Sequence, residues 1–436
     1  MITSSYSPAN LKNLYSVFDN RAINKCARQS IFLKREYRKI SPLNFLIGFF
    51  LMTLSGSNSY SAWAAQISLR CKGLVSKQAL CDRMSSKAVH FVQLLLEHRF
   101  KVFFEKMERG IFSSFNRVLI QDSTTLSLPG SLVNYFPGNK AKGEQRAVAR
   151  IQCVFDLLSN QFCLFGLFPY VSNDQSASSL ITQCIRPGDL IIRDLGFFVL
   201  NVFHKIQQAN AYFLSRLSHN VCIYFNQDEK VNLLKSLNRN GWFDHWVTAG
   251  NDNPVYARVI GIKVPDHIAN ERIRKARTHK DKRFTYSEAY LKLLHYNLYI
   301  TNVSSKIWSA KDVHKAYRNR WKIEIIFKAW KSNFSIQKLI HHQCYNINRI
   351  VCTIYLMLLF ITIFMAKIYN EWLFTIKKKN QRHVSLIKLS KLFTDTFEQL
   401  MCLPSKLLHQ FILKFACYEK RKDRQNLLQL QENACP

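Results

Sequence analysis

The 436-residue chain carries 62 Lys+Arg against 28 Asp+Glu, a net charge of +34, with 48% hydrophobic and 13% aromatic residues. That composition excludes a disordered chain and provides for two or three domains with a substantial core. So large a positive excess repels itself unless a polyanion offsets it, which makes nucleic acid or an acidic membrane surface the default partner. The twelve cysteines contain no C-x-x-C pair and no finger-like His/Cys spacing, so they read as reduced, buried thiols of a reducing compartment without a structural metal.

The opening "MITSSYSPANLKNL" lacks the basic region followed by an apolar run that a signal peptide needs. Residues 1–115 read as a helical domain: the basic run "RQSIFLKREYRK", the apolar segment at 42–54, then "WAAQISLRCKGLVSKQALCDRM". That last stretch pairs an apolar-periodic segment with a turn at Gly73, a cap at Ser76 and a second helix bearing Lys77, Gln78 and Arg83. This is helix-turn-helix grammar, which any small helical domain can share; the overall charge is what favours DNA contacts for Lys77 and Arg83.

From residue 116 to 217 the texture turns β-rich, and strands followed by helices with interleaved hairpins predict a mixed α/β sheet. "RVLIQD" (117–122) and "DLIIRD" (189–194) each read as a strand ending on an acid, while "RIQCVFDLL" (150–158) and "QFCLFGLF" (161–168) read as a hairpin. Residues 218–294 predict a β-rich, basic insertion. Its run "RIRKARTHKDKR" (272–283) holds seven Lys/Arg against one Asp and marks Arg272, Arg274, Lys275 and Arg277 as DNA contacts. The sheet resumes with "YNLYITNV" (296–303) within a segment 295–369, and residues 370–436 read as a basic helical region. The 17 uncharged residues at 350–366 meet only the lower limit for a membrane span, so a buried core helix is expected there.

The chemistry concentrates in "YRNRWKIEIIFKAWKSNF" (317–334), expected as part of one helix over 311–334. At 100° per residue, Tyr317, Arg320, Glu324 and Lys331 fall at about 0°, 300°, 340° and 320°, one narrow polar stripe opposite an apolar arc of Ile323, Ile326 and Trp330. An amphipathic helix with a Glu324–Lys328 pair explains this as well as a functional edge does. Asp122 and Asp194, at strand ends where side chains of open α/β sheets converge on a ligand, supply what such an edge would face. Three carboxylates brought together repel one another unless a cation lies between them, and hard oxygen ligands suit Mg²⁺. Asp156 and Asp189 compete for the same roles, and either strand-end acid could instead form an Asx turn.

The spacing Tyr317-x2-Arg320-x3-Glu324-x6-Lys331 resembles the YREK signature of the DDE transposases grouped with bacterial insertion sequence four. "LIQDSTTLSLP" and "IIRDLGFF" resemble that family's two aspartate strands. The resemblance implies a ribonuclease-H-like core interrupted by the insertion, with Asp122, Asp194 and Glu324 as catalytic residues and ligands of two Mg²⁺ ions, replaceable by Mn²⁺. It implies that Tyr317, Arg320 and Lys331 hold DNA phosphates, and that double-stranded DNA, as element ends and target, is cut and joined through a hairpin by a homodimer. A nucleoid-associated cytoplasmic protein without a membrane role follows from the same likeness. Two departures stand out: Leu195 replaces a frequent Arg after the second aspartate, and Tyr296-Asn297 occupies the place of a base-stacking Trp. Tyr296 or Tyr299 is then the expected stacking residue. A decayed or domesticated DNA-binding copy, another ribonuclease-H-like nuclease and a membrane protein are the competing readings.

Overall fold

In β1 (Val118–Ser127), β5 (Leu190–Arg193) and β6 (Tyr212–Arg216), alternate residues divide between two apolar clusters. Ile120, Ile192 and Leu214 enter one; Leu119, Ile191 and Phe213 enter the other. Such strands are covered on both faces, as a near-continuous apolar run like "LIIR" requires. The computed structural model describes residues 19–35, 39–71, 73–100, 110–141, 143–226, 229–278, 286–340 and 346–419.

The other strands are β2 (Pro137–Ala141), β3 (Glu144–Asp156), β4 (Gln161–Pro169), β7 (Ile223–Phe225), β8 (Glu229–Lys230), β9 (Trp242–Ala249), β10 (Val255–Lys263) and β11 (Tyr296–Thr301). β3 pairs antiparallel with β1 and with β4, as the predicted hairpin requires. β1, β5 and β6 run parallel, with the Leu200–Gln208 helix crossing between the last two. An antiparallel β4–β3–β1 meander continued by parallel β5 and β6 is the ribonuclease-H-like arrangement of a mixed α/β fold.

The insertion does not form a separate sheet. β11 lies antiparallel against β6 and also pairs along its length with β10, from Arg258↔Thr301 to Lys263↔Tyr296, so β10, β9, β7 and β8 prolong the core sheet. The N-terminal and C-terminal helices of the described residues likewise merge. Residues from Ile23 to Cys417 share one apolar cluster, in which Phe50 meets Phe360 at 5.0 Å and the Tyr60 hydroxyl lies 3.1 Å from Thr353 Oγ1. Helices from both termini thus make a common layer over the sheet face that carries Ile120 and Ile192.

Within that layer the Pro42–Leu54 and Tyr60–Ser68 helices approach closely at Gly48, where an added Cβ would fall 2.7 Å from Ile67 Cγ1. Ser76 caps the Lys77–Arg83 helix through Ala79 N–H at 3.1 Å, as expected. The connection from 69 to 76 is longer than the three or four residues of a helix-turn-helix turn. The apolar 350–366 segment lies in a helical run Ile347–Asn380, whose most apolar window is 83% buried against its neighbours. The basic run after residue 278 and the tail from 420 fall outside the described residues.

Candidate active site

Pleat parity and strand register place the two aspartates. Gln121 is level with Arg193 in the parallel β1–β5 pair, so Asp122 and Asp194 follow side by side on the face of Ile120 and Ile192. Asp122 is not at a strand end as expected; β1 continues to Ser127 along the longer β3, with Asp122 opposite Cys153. Asp194 follows the last residue of β5.

The expected single helix over 311–334 is two, Ala310–Arg318 and Trp321–Ser332. Between them the N–H groups of Asn319, Arg320, Lys322 and Ile323 each bond three residues back, a 3₁₀ tightening that breaks the 100° progression. Tyr317 therefore lies in the last turn of one helix, Arg320 is at the junction, and Glu324 stands in the first turn of the next, where the helix dipole favours a carboxylate. Ile323, Ile326 and Trp330 form the buried back as predicted, in the same cluster as Ile120.

These residues meet around one guanidinium. Arg320 Nη1 donates to Asp122 Oδ2 at 3.0 Å and Nη2 to Glu324 Oε1 at 2.8 Å, while Nε lies 3.9 Å from Asp194 Oδ1. Tyr317 Oη donates to Asp194 Oδ1 at 3.1 Å. Burial, abetted by Asp194 and Glu324, pushes the Asp122 carboxyl up to about 6, against the pull of Arg320 and of the Ser123 N–H at 2.8 Å. Arg320 is buried, which alone would weaken its charge, yet the surrounding acids hold its pKa above the ordinary value. Tyr317 is raised by burial and then by Asp194. Glu324 thus pairs with Arg320, and not with Lys328 as an ordinary amphipathic helix would have it.

The competing acids have structural duties. Asp189 is buried and bidentate to Arg117, at 3.0 and 2.5 Å. Asp156 is buried, accepting from Val118 and Leu158 N–H at 3.2 and 3.1 Å and from Ser159 Oγ at 2.6 Å. On the opposite face from Asp194, buried Arg193 donates to Ser178 and steadies the segment beneath Asp194.

Other expected residues lie apart from the acids or inside the protein. Lys331 is exposed in the last turn and makes no ion pair with the three acids. Tyr296 and Tyr299 are both buried, with hydroxyls directed to Leu237 O at 3.3 Å and His314 Nδ1 at 2.8 Å, so neither ring lies open to a base. Their burial follows from β11 being an interior strand between β6 and β10. Among the described residues an open ring beside the site is that of Trp321, 55% exposed with its centre 5.7 Å from the Arg320 guanidinium carbon. Sequence reasoning passed over it, though its place next to Arg320 was a usable signal. Lys77, Arg274, Lys275 and Arg277 are exposed, with Lys275 paired to Glu271 at 2.6 Å. Arg83 instead stacks over Phe32 at 4.2 Å, and Arg272 donates to Asn297 Oδ1 at 2.8 Å.

The donor set suits a divalent cation: three carboxylates, all oxygen, reach a single positive group. As placed they surround a guanidinium, and among the described residues no group of three His, Cys, Asp or Glu side chains encloses an ion-sized space. The chemistry of the acids fits a metal, and Arg320 would have to yield contacts to admit one.

Residues 113–363 match the family model described as transposase DDE domain. The chain is 30% identical over 404 residues to the transposase for insertion sequence element IS231E of Bacillus thuringiensis subsp. finitimus, covering 86% of this chain and 82% of that protein. It is 27% identical over 375 residues to the transposase for insertion sequence element IS1151 of Clostridium perfringens, covering 79% and 77%. A solved piggyBac transposase synaptic complex with hairpin DNA gives a TM-score of 0.47 at 9% identity, over 96% of this chain and 84% of that one, too slight a likeness to bear on fold or chemistry. The chain belongs to the DDE transposase family, a group of metal-dependent enzymes that cleave and transfer DNA strands.

Proposed function

We propose that this transposase binds the terminal inverted repeats of its own insertion sequence and moves it by cut and paste, through a hairpin intermediate. The observation that carries the reading is the convergence of Asp122, Asp194 and Glu324 about Arg320 on one face of the sheet. Two Mg²⁺ ions held by these acids, with Mn²⁺ as a substitute, would supply an activated water and stabilise the leaving oxygen of an in-line displacement.

The chain's own residues do the rest. The β1–β5 register and the packed back of the Trp321–Ser332 helix fix the three acids from three separate elements. Tyr317 orients Asp194 by its hydrogen bond. Arg320 carries a planar fork that matches a phosphate as well as a carboxylate, so an arriving phosphodiester competes for it and draws it from the acids. Lys331, further along the same helix, meets a neighbouring phosphate as a point charge. Trp321 is the ring against which an unpaired base stacks, in the role expected of Tyr296 or Tyr299. Exposed Lys77, Arg274, Lys275 and Arg277 add phosphate contacts along the duplex. The protein works as a homodimer pairing two ends, in the cytoplasm at the nucleoid, with no membrane role for the buried Ile347–Asn380 run.

The test incubates purified protein and Mg²⁺ with DNA carrying the inverted repeats that flank its gene, and resolves the products on a denaturing gel. Nicks at the repeat boundary followed by a slow-running hairpin support the reading. Cleavage indifferent to the repeats would contradict it.

A further inference from the structure

Three arginines gather about Tyr299 and His314, behind the Tyr317 that holds Asp194, and none has an acidic partner among the described residues. Arg216 ends β6 directly opposite Tyr299 of β11. Arg318 follows His314 by one helical turn in the Ala310–Arg318 helix. Arg272 reaches in from the Asp266–Arg277 helix, where Nη2 donates to Asn297 Oδ1 at 2.8 Å and Nη1 faces the carbonyls of Leu294 and Tyr296 at 3.3 and 3.4 Å.

Polar and ring contacts tie the group to the active site. Asn297 Nδ2 is 3.5 Å from His314 Nδ1, which is 2.8 Å from Tyr299 Oη. The Tyr299 ring packs on Tyr317 at 5.2 Å, and Tyr317 holds Asp194. Burial and then all three arginines depress the pKa of the His314 imidazole, and Arg272 is lowered by burial and then by Arg216. The guanidiniums thus act on one small volume.

Half-buried like charges with only neutral acceptors raise the energy of the folded protein, because burial weakens their hydration and nothing of opposite sign repays it. Arg117 and Arg258 in this same chain each have a carboxylate beside them, Asp189 and Asp244, and buried Arg193, which has none, stands alone and not in a group of like charges. We propose that Arg216, Arg272 and Arg318 form a phosphate cradle for the DNA strand, next to the phosphodiester at the catalytic acids. The proposal rests on the transposase reading and adds to it a site that bridges the core sheet and its insertion. Arg272, anchored by its neutral hydrogen bonds, is the fixed wall; Arg216 and Arg318 make no side-chain hydrogen bond among the described residues and are the pair that grips the strand.

The test uses the full chain and a duplex copied from the flanking repeat, with affinity measured across a salt series. Removing two phosphate contacts lowers the log–log slope by about 0.9 each. Arg216→Gln/Arg318→Gln is therefore expected to flatten the slope by about 1.8, and to leave the melting temperature equal to or above that of the wild type, because repulsion has been relieved. Arg216→Lys/Arg318→Lys should restore the slope. Should the double Gln variant fail to fold, Arg318→Gln alone carries the test with half the change. An unchanged slope overturns the cradle, as does a melting temperature that falls with the slope, since that marks structural arginines. Glu324→Ala keeps all three arginines and should keep the wild-type slope, so loss of nicking, which tests the transposase reading, is read separately from loss of the cradle.

Discussion

Asp122→Asn removes a charge that the fold holds at a cost. The carboxyl titrates at about 6 in place of its ordinary 3.8, a difference corresponding to roughly 3 kcal/mol. The sign follows from which state keeps the proton. Below pH 3.8 both folded and unfolded chains are protonated and Asp122 costs nothing; between 3.8 and about 6 the unfolded chain releases its proton first, so stability falls as pH rises; above 6 the full penalty stands. Asparagine mimics the protonated form at every pH. At roughly 2.1 cal/mol/K per residue, 436 residues give an unfolding entropy of about 0.9 kcal/mol/K, so the variant should melt about 3 °C above the wild type. The assay is thermal unfolding in chelator, at pH 8 and again at pH 4. The gain should be present at pH 8 and shrink toward zero at pH 4. A variant that melts below the wild type at pH 8 would show that Arg320 already compensates Asp122, and would refute the reasoning.

Other consequences follow from the same geometry. Arg320→Ala leaves three carboxylates without their shared cation and should cost about 3 kcal/mol, the low end for a broken buried pair because Asp194 and Glu324 are partly exposed. Arg320→Lys should recover only part of that in the same unfolding assay, since an ammonium cannot reach all three acids at once. Asp189→Asn should destabilise by a similar amount through loss of the Arg117 pair, while the nicking rate per folded molecule, normalised by near-ultraviolet circular dichroism, stays at the wild-type value. Trp321→Ala should weaken binding to a duplex with an unpaired terminal base by about 1–3 kcal/mol relative to a fully paired one, and Trp321→Phe should retain most of the preference. Equal losses on both duplexes would remove the stacking role.

Much of this architecture was legible in the sequence because burial leaves a period. The β3–β4 hairpin, the short apolar β5 and the crossover helix followed from alternation and turn residues, and the acids were found because they interrupt apolar runs. What escaped depends on contacts distant in sequence. Asp122 reads as a strand end because the polar "STT" after it looks like a turn, whereas β3 supplies partners that carry the strand on to Ser127. The helical wheel carried Tyr317 onto the right side of the site while missing the 3₁₀ junction at Asn319 and Arg320, since local hydrogen-bond slippage leaves no periodic signal. The burial of Tyr296 and Tyr299 likewise leaves no local signal. Only the strand order shows that β11 is enclosed between β6 and β10, and an enclosed strand buries its aromatic residues. Arg216 and Arg318 carried no motif and emerge only when strand register and helical turn bring them to Tyr299 and His314.

The central claim, that three carboxylates from β1, the end of β5 and the Trp321–Ser332 helix form one catalytic set, is tested most directly by single-turnover nicking of repeat-bearing DNA in Mg²⁺. Asp122→Asn, Asp194→Asn and Glu324→Gln should each retain binding to the duplex and each lose nicking to the background rate. A wild-type nicking rate in any one of the three would contradict the claim.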